Sequence, residues 1–301
     1  MPFDALAHPI IFSRPQRVSP SSVWGGHIPF AYLLVDLLRP RTFVELGTQS
    51  GVSYSAFCQG VQMLGLETRC TAVDTWAGDP HTGQFGPEIL ADFKKFHDVR
   101  FSNFSHLLQA DFDSAVHSFA DGSIDLLHID GFHTYDAVRH DFQTYFPKMS
   151  DRGVVIFHDS AARKPGFGVY RLIEELAPRY PHFEFLHSYG LAVLLVGAAV
   201  PTGIVEFLDA ANASPQVYRA LFACLGERLD SEMIALELIK LNFQQMQAVN
   251  AVKAKGGFQV DPRTQRLDVA LSAPVPFAQT LSSEIASIFN SIEVRRSGGP
   301  V

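Results

Sequence analysis

Residues 124–160 read IDLLHIDGFHTYDAVRHDFQTYFPKMSDRGVVIFHDS, and this stretch decides the fold. It contains two short apolar runs, residues 124–129 and 154–157, and between them apolar side chains recur at helical spacing over residues 135–146. Two buried strands joined by a helix form a right-handed βαβ unit, in which the strands are parallel neighbours. The stretch therefore predicts the centre of an α/β sheet.

Both predicted strands end in side chains that can carry chemistry. Asp130 follows the first strand with His133 three residues later, and His158 and Asp159 follow the second. Because parallel strands end at the same edge of a sheet, we expect these four side chains to gather at one rim, where open α/β sheets bind ligands. His128 lies inside the first strand, and we expect it to be a satisfied core histidine.

The composition indicates one main soluble domain with an appendage. The chain has 301 residues, of which 47% are hydrophobic and 18% charged, and a formal net charge of -7. A chain-wide basic surface is absent, so we expect no nucleic-acid partner. The three cysteines suggest neither a disulfide framework nor a zinc module. With no signal peptide evident and no apolar run long enough for a bilayer, we expect a cytoplasmic protein without a membrane span.

A glycine-containing turn follows the first predicted strand, residues 42–46. The glycines permit a tight turn, and the helix that follows offers free N–H groups at its N-terminus. The spacing matches neither the dinucleotide fingerprint nor the phosphate loop. Glu45 precedes the turn and would repel a pyrophosphate, so a ligand with a cationic or amine-bearing tail fits better; an ordinary turn is the alternative. The turn consists of Gly47, Thr48, Gln49, Ser50 and Gly51.

Further candidates follow the next two predicted strands. Asp74 ends the second strand, where a carboxylate can accept hydrogen bonds from ribose hydroxyls, although a helix cap is the alternative. Trp76 could cover an adenine ring or pack in the core. Asp111, after the third strand, could meet an adenine amino group or cap a helix. Residues 77–97 are a candidate lid, in which His81 either approaches a substrate or is a solvated loop histidine.

The order of predicted elements indicates a doubly wound, Rossmann-like α/β fold. We expect a mostly parallel seven-stranded sheet with a C-terminal antiparallel hairpin, in a domain spanning residues 27–197. Residues 1–26 are predicted to be an N-terminal arm, and residues 198–301 a mainly helical C-terminal extension. One helix is predicted over residues 215–225 and a second over residues 229–252. Heptad-like apolar spacing in the second predicts either a helix packed on its own domain or a homodimer contact. A further helix is predicted near residues 277–289.

Three segments carry a resemblance to a known family. VELGTQSGVSY, AVDTW and the long stretch quoted above resemble the class I S-adenosylmethionine-dependent methyltransferases. The most similar subgroup includes macrocin-type sugar O-methyltransferases and cephalosporin-hydroxylase-like proteins. The resemblance covers residues 27–197 and does not extend to the tail.

The resemblance implies S-adenosylmethionine as cofactor, with Glu45, Gly47 and Gly51 around its methionine end and Asp74 on its ribose. Together with the candidates found above, the predicted cofactor residues are Glu45, Gly47, Gln49, Ser50, Gly51, Asp74, Trp76 and Asp111.

The resemblance also implies a divalent cation and a general base. Asp130, together with two adjacent acidic positions that match His158 and Asp159, corresponds to the metal ligands, and His133 corresponds to the base. This chain differs at residue 158, because imidazole replaces a carboxylate and favours manganese, iron or zinc over magnesium. We expect manganese or magnesium, bound by Asp130, His158 and Asp159, with Asp130 and His133 as catalytic residues.

The leading hypothesis is O-methyl transfer to a sugar, a glycan or a similar small-molecule hydroxyl. A metal can lower the pKa of a coordinated oxygen and a histidine can accept its proton, so the chemistry agrees with the residues. One alternative is an iron-dependent hydroxylase-like enzyme, since a histidine and carboxylate set can hold iron. Another is a non-catalytic cofactor-binding domain within a glycan-assembly complex.

Overall fold

The computed structural model of the chain describes residues 3–19, 22–81, 83–254, 258–260 and 267–269. The chain divides into two compact units, residues 1–234 and 235–301. In the second unit, residues 258–260 pair antiparallel with residues 267–269. Within the described part, no helix combines the length and the apolar character needed to cross a membrane.

The first unit contains the predicted seven-stranded sheet, with strand order β3-β2-β1-β4-β5-β7-β6. Strands β1 to β5 pair in parallel, and β7 lies antiparallel between β5 and β6. The strands are β1 Thr42–Leu46, β2 Arg69–Asp74, β3 Ser105–Gln109, β4 Ile124–Ile129, β5 Met149–His158, β6 His182–Phe185 and β7 Leu191–Leu195. The predicted α/β Rossmann-like fold is confirmed.

Helices cover both faces of the sheet. They are α1 Ile28–Leu38, α2 Val52–Met63, α3 Pro87–Arg100, α4 Phe112–Ala115, α5 Tyr135–Tyr145, α6 Val169–Leu176, α7 Thr202–Ala213 and α8 Pro215–Ala254. Consecutive strand residues point to opposite faces, so Phe43 and Leu126 join one apolar cluster while Val44 and Leu127 join the other. Burial on both faces explains why apolar residues predominate in these two strands.

The direction of winding changes between β1 and β4. From β1 the chain moves outward through β2 and β3, then returns to place β4 and β5 on the other side of β1. Open α/β sheets form a crevice at such a switch point, beyond the carboxyl ends of the strands. The ends of β1 and β4 therefore set the position of the candidate site.

The first unit extends beyond the predicted boundary at residue 197. Helix α7 and the beginning of α8 bury Phe207, Phe222 and Leu225 in the same cluster as Phe30 of α1. Helix α7 was not predicted from the sequence, and residues 215–254 form one helix rather than the two predicted. The helix predicted near residues 277–289 lies outside the described residues.

Candidate active site

The glycine turn after β1 lies against the end of β4. Gly47 has a φ of +86°, and a Cβ there would stand 2.1 Å from the Asp130 carbonyl oxygen. The Asp130 amide donates to the Leu46 carbonyl at 2.8 Å, so the two strand ends are in register. Only glycine fits between them, which explains the residue type.

The carboxylate of Asp74 holds the turn from β2. Its Oδ2 atom accepts the backbone N–H groups of Thr48 and Gln49, both at 2.8 Å, and its Oδ1 atom accepts that of Trp76 at 2.7 Å. The Trp76 indole N–H donates to the Gln49 carbonyl at 2.9 Å. Because a carboxylate has roughly four acceptor positions, about one remains for a ribose hydroxyl.

A cavity of about 350 Å³ opens above this turn. The predicted cofactor residues that line it are Gly47, Gln49, Ser50, Asp74 and Asp111, and the predicted catalytic and metal residues on it are Asp130, His133, His158 and Asp159. The structure thus brings most of the predicted site residues to one cavity. Glu45, Gly51 and Trp76 are not among its lining residues.

Glu45 is fully buried and its partners are internal. Its carboxylate accepts hydrogen bonds from the Ser53 hydroxyl at 3.0 Å and from His128 Nδ1 at 2.8 Å. The other nitrogen of His128 accepts the Trp24 indole N–H at 3.3 Å. Burial raises the pKa of Glu45 although the His128 contact opposes it. Glu45 therefore supports the floor of the site, and His128 is a satisfied core histidine.

Gly51, Trp76 and Asp111 have structural roles as well. Gly51 has a φ of +74°, and a Cβ there would stand 2.2 Å from the Phe93 ring. Trp76 is buried against the turn. Asp111 caps α4, accepting the Ser114 amide at 2.7 Å, and this hydrogen bond lowers its pKa. The capping alternative is realised for Asp111, although its side chain still faces the cavity.

Two carboxylates and two histidines meet at the rim. His133 Nε2 lies 2.9 Å from Asp159 Oδ2 and 3.7 Å from Asp130 Oδ1. His158 Nδ1 lies 3.2 Å from Asp130 Oδ1 and 3.3 Å from Asp159 Oδ2. His158 Nε2 lies 3.1 Å from the Ser188 carbonyl oxygen, to which it donates.

The charges of this cluster compensate one another. Burial alone would lower the pKa of His158, but attraction and hydrogen bonds from Asp130 and Asp159 outweigh burial and raise it to about 10. The same balance raises the pKa of His133 to about 9. In turn, burial opposes ionisation of Asp130, but His158 and His133 hold the pKa of that carboxyl well below its usual range. The two carboxylates therefore favour the imidazolium form of both histidines.

The donor set fits a divalent cation. Ligand atoms of Asp130, His133 and Asp159 all lie within 4.8 Å of one another. His158 donates through Nε2 to a backbone carbonyl, which leaves Nδ1 directed at the two carboxylates. Metal-binding histidines commonly fix their orientation in this way. Carboxylates together with imidazole suit manganese, iron or zinc, as well as magnesium through the carboxylates.

Side chains from two other loops contact His133. His81 of the predicted lid is exposed, but its Nδ1 lies 3.4 Å from His133 Nδ1. The Phe167 ring stacks on both histidines, with centroid distances of 4.9 Å to His81 and 4.8 Å to His133 and interplanar angles of 4°. The Phe132 ring also contacts His81, with a centroid distance of 4.5 Å. His81 is therefore not a freely solvated loop residue.

The N-terminal arm supplies part of the cavity wall. Ser22, Val23 and Trp24 line the cavity although the arm carries no recognisable motif. The one feature of the sequence that could have indicated this role is Trp24, a tryptophan within a Gly- and Ser-rich segment. Contacts of this kind join residues far apart in the chain, so local patterns do not reveal them.

Comparison with known families agrees with the fold. Residues 44–160, less than half of the chain, match the family model described as a methyltransferase domain. This span contains the glycine turn and all four residues of the rim cluster. Residues 44–160 are thus similar to a methyltransferase domain.

Two curated relatives and one solved structure are similar to the chain. The uncharacterized protein y4gI of Sinorhizobium fredii is 44% identical over 192 residues, 64% of this chain and 21% of the relative. Protein R132 of Acanthamoeba polyphaga mimivirus is 30% identical over 124 residues, 39% of this chain and 51% of the relative. The chain thus spans about a fifth and about half of their lengths. The SAH-bound methyltransferase PaMTH1 of Podospora anserina has a TM-score of 0.44 at 14% identity, over 56% of this chain and 77% of that chain.

Proposed function

We propose that the chain is an S-adenosylmethionine-dependent O-methyltransferase that acts on a sugar, a glycan or a similar hydroxyl. The observation that carries the proposal is the imidazole of His133, held 2.9 Å from Asp159 on the cavity that the glycine turn of the methyltransferase domain bounds. A base beside an activated methyl donor is what an alcohol needs in order to react.

The cavity offers suitable partners for the cofactor. The turn and the first N–H groups of α2 can receive the methionine carboxylate, since the first turn of a helix leaves its N–H groups without internal partners. The remaining acceptor position of Asp74 suits one ribose hydroxyl, and Asp111 and Phe112 lie on the wall where the adenine would fit. Glu45 and Trp76 shape this site from behind.

The reaction needs little from the protein beyond alignment and a base. The acceptor oxygen forms a bond to the methyl carbon, the carbon–sulfur bond breaks with its electron pair on sulfur, and the hydroxyl proton passes to His133. Alignment of two bound reactants is itself a large contribution to rate. Asp159 accepts the Nε2–H of His133 and so orients the ring, which leaves Nδ1 as the basic atom.

A divalent cation would resolve a conflict in this scheme. His133 is protonated when its pKa is about 9, and a protonated imidazole cannot accept a proton. A cation held by Asp130, Asp159 and His158 would neutralise the carboxylates and polarise an acceptor oxygen. With the carboxylates neutralised, His133 loses the attraction that raises its pKa and becomes a base near neutral pH.

Methyl transfer can be measured with labelled cofactor and a glycan extract, in protein that has been treated with chelator and then supplied with magnesium or manganese. We expect transfer to require the metal and to fall at least 100-fold in His133→Gln, the usual scale for a lost general base. His117→Gln, on the exposed surface, is the control. Full transfer in excess chelator would remove the metal from the proposal, and a product that gains oxygen instead of a methyl group would favour the hydroxylase alternative.

A further inference from the structure

Arg17 of the N-terminal arm is mostly buried although it belongs to a segment without periodic structure. Its side chain is 13% exposed, whereas that of Arg14 in the same segment is 78% exposed. Burying a guanidinium is costly unless its N–H groups are paired. The contacts of Arg17 therefore indicate a specific role.

Three sets of contacts hold Arg17. Its Nε–H donates to the carbonyl oxygen of Ser50, within the glycine turn. One terminal nitrogen pairs with Asp92 Oδ2 of α3 at 2.8 Å. The guanidinium also lies 5.2 Å from the ring centroid of Phe93 and 5.1 Å from that of Phe96, within the range of cation–π attraction.

The hydrogen bond from Arg17 to Ser50 restrains a segment of the turn whose backbone conformation is unfavourable. Gln49 has a φ of 48°, in the left-handed region that non-glycine residues rarely adopt, and Gly51 has a φ of +74°. Ser50 lies between these two residues. Because Arg17 binds the Ser50 carbonyl oxygen, it fixes the peptide plane between Ser50 and Gly51, which leads into α2. Trp76 holds the Gln49 carbonyl and Asp74 holds the amides of the turn, so Arg17 completes a set of three restraints.

The arm is docked next to these contacts by a further pair of hydrogen bonds. Gln59 of α2 accepts the Gln16 amide at 2.8 Å and donates to the Arg14 carbonyl at 2.8 Å. Gln59 is only 4% exposed. The arm then continues to Trp24 on the cavity wall. The arm therefore contacts the turn at Arg17 and the cavity at Trp24.

We propose that Arg17 is a positioning residue of the cofactor site and that the N-terminal arm is part of that site. This inference rests on the proposed function, because it concerns the affinity for the methyl donor and its product. Arg17 does not line the cavity; it acts through Ser50, by keeping the turn in the conformation that presents its N–H groups to the ligand. If docking of the arm favours binding, binding must favour docking of the arm by the same factor.

The test uses isothermal calorimetry of the full chain with S-adenosylhomocysteine. Arg17→Met keeps an unbranched apolar stem between the two phenylalanines but removes every donor, and we expect roughly tenfold weaker binding, the scale of a lost hydrogen bond to a charged group. Arg17→Lys should restore part of the affinity. Asp92→Asn removes the charge of the surface partner but leaves the Ser50 contact, and should bind like the wild type.

Wild-type affinity in Arg17→Met would overturn the inference, and so would equal losses in Arg17→Met and Asp92→Asn, because the ion pair would then explain the effect. A wild-type chain that does not bind S-adenosylhomocysteine would overturn the proposed function as well. Limited trypsin digestion of the wild type decides the matter if Arg17→Met fails to fold. The ligand should slow cleavage after Arg17 and leave cleavage after Arg179 unchanged; equal rates at Arg17 with and without ligand would contradict the proposal.

Discussion

Three residues at the candidate site have unfavourable backbone conformations. Gln49, Trp76 and Asp159 all have positive φ values, 48°, 51° and 58°, and all three lie on or beside the cavity. Each costs on the order of 1 kcal/mol for a residue with a Cβ. The hydrogen bonds of Asp74 and the close contact of Gly47 with β4 offset that cost, so the site is held rigid before any ligand arrives.

Substitution of Gly47 by alanine tests whether the site is held rigid. In Gly47→Ala the new Cβ meets the Asp130 carbonyl at 2.1 Å, and backbone has to move. We expect a loss of unfolding free energy of about 2–4 kcal/mol and loss of S-adenosylhomocysteine binding. Gly65→Ala is the matched control, because Gly65 has a φ of +60° but nothing within 4 Å of the added Cβ. If Gly47→Ala and Gly65→Ala lose equal unfolding free energy in urea, the positive φ rather than the contact with Asp130 explains why residue 47 is glycine.

Asp141 gives a pH dependence of stability. Burial raises the pKa of this α5 carboxyl to about 7, above its ordinary value of 3.8. A carboxyl with a raised folded pKa favours folding only while protonated, so the wild type loses stability as pH rises from about 4 to about 7 and no further above that. Asp141→Asn should therefore be more stable than the wild type at pH 8, by up to about 3 kcal/mol, with no advantage at pH 4.

Thermal or urea unfolding across this pH range measures the Asp141 effect. Asp209→Asn, on the exposed face of α7, is the control and should not change the pH profile. A constant difference between Asp141→Asn and the wild type from pH 4 to pH 8 would contradict the assignment of the raised pKa to Asp141.

The rim cluster could be predicted from the sequence, but its supports could not. Asp130 and Asp159 follow apolar strands, and parallel neighbours end at one edge, so their proximity required only local pattern and topology. Glu45 was assigned to the ligand because it precedes the turn, whereas the structure pairs it with His128. That pairing depends on the register between β1 and β4, which no local pattern specifies. Arg17 is a similar case, 33 residues from Ser50.

Helix α8 illustrates the same limit at the scale of an element. The sequence predicted separate helices over residues 215–225 and 229–252, yet one helix of 40 residues runs through both. Gly226 lies between the two predicted segments and does not interrupt the helix. Its missing Cβ instead allows α8 to approach the backbone of Gly26, since a Cβ would stand 2.4 Å from the Gly26 carbonyl oxygen.

Gly226→Ala should therefore destabilise the protein even though alanine favours helices by about 1 kcal/mol over glycine. We expect a net loss of about 1–3 kcal/mol of unfolding free energy, because backbone rather than a flexible side chain must move. In α7, Gly203→Ala meets only Leu37 at 3.4 Å, an ordinary contact, and should be neutral or stabilising. Gain of stability in both variants would show that α8 does not depend on the close approach.

At the scale of the whole molecule, the second half of α8 is unusually apolar at its surface. Leu238, Ile239, Leu241, Phe243 and Met246 are each at least half exposed. Residues 239, 243 and 246 follow the spacing of a coiled-coil seam. This feature supports the proposed homodimer, since exposed apolar side chains in a contiguous set commonly mark an interface.

Self-association can be tested by comparing the sedimentation of the full chain with that of a shorter chain consisting of residues 1–234. The shorter chain keeps Phe207, Phe222 and Leu225, which cover α1, whereas a chain ending at residue 197 would lose them. We expect the full chain to be dimeric at roughly micromolar concentration, with an unfolding midpoint that rises with protein concentration. Residues 1–234 should be monomeric, with a midpoint that does not depend on concentration. A monomeric full chain at tens of micromolar, roughly the upper end for such an interface, would contradict a stable dimer.

The position of β7 determines when the sheet can be completed. β7 separates β5 from β6 and is the last strand of the sheet in the chain, so during synthesis neither of its neighbours has a partner on that side until residues 191–195 have left the ribosome. Until then the edge of β5, with the apolar run of residues 154–157, is a template for any other strand. We therefore expect nascent or prematurely terminated chains that end between residues 158 and 190 to aggregate and to depend on chaperones, whereas chains that include β7 close their own edge.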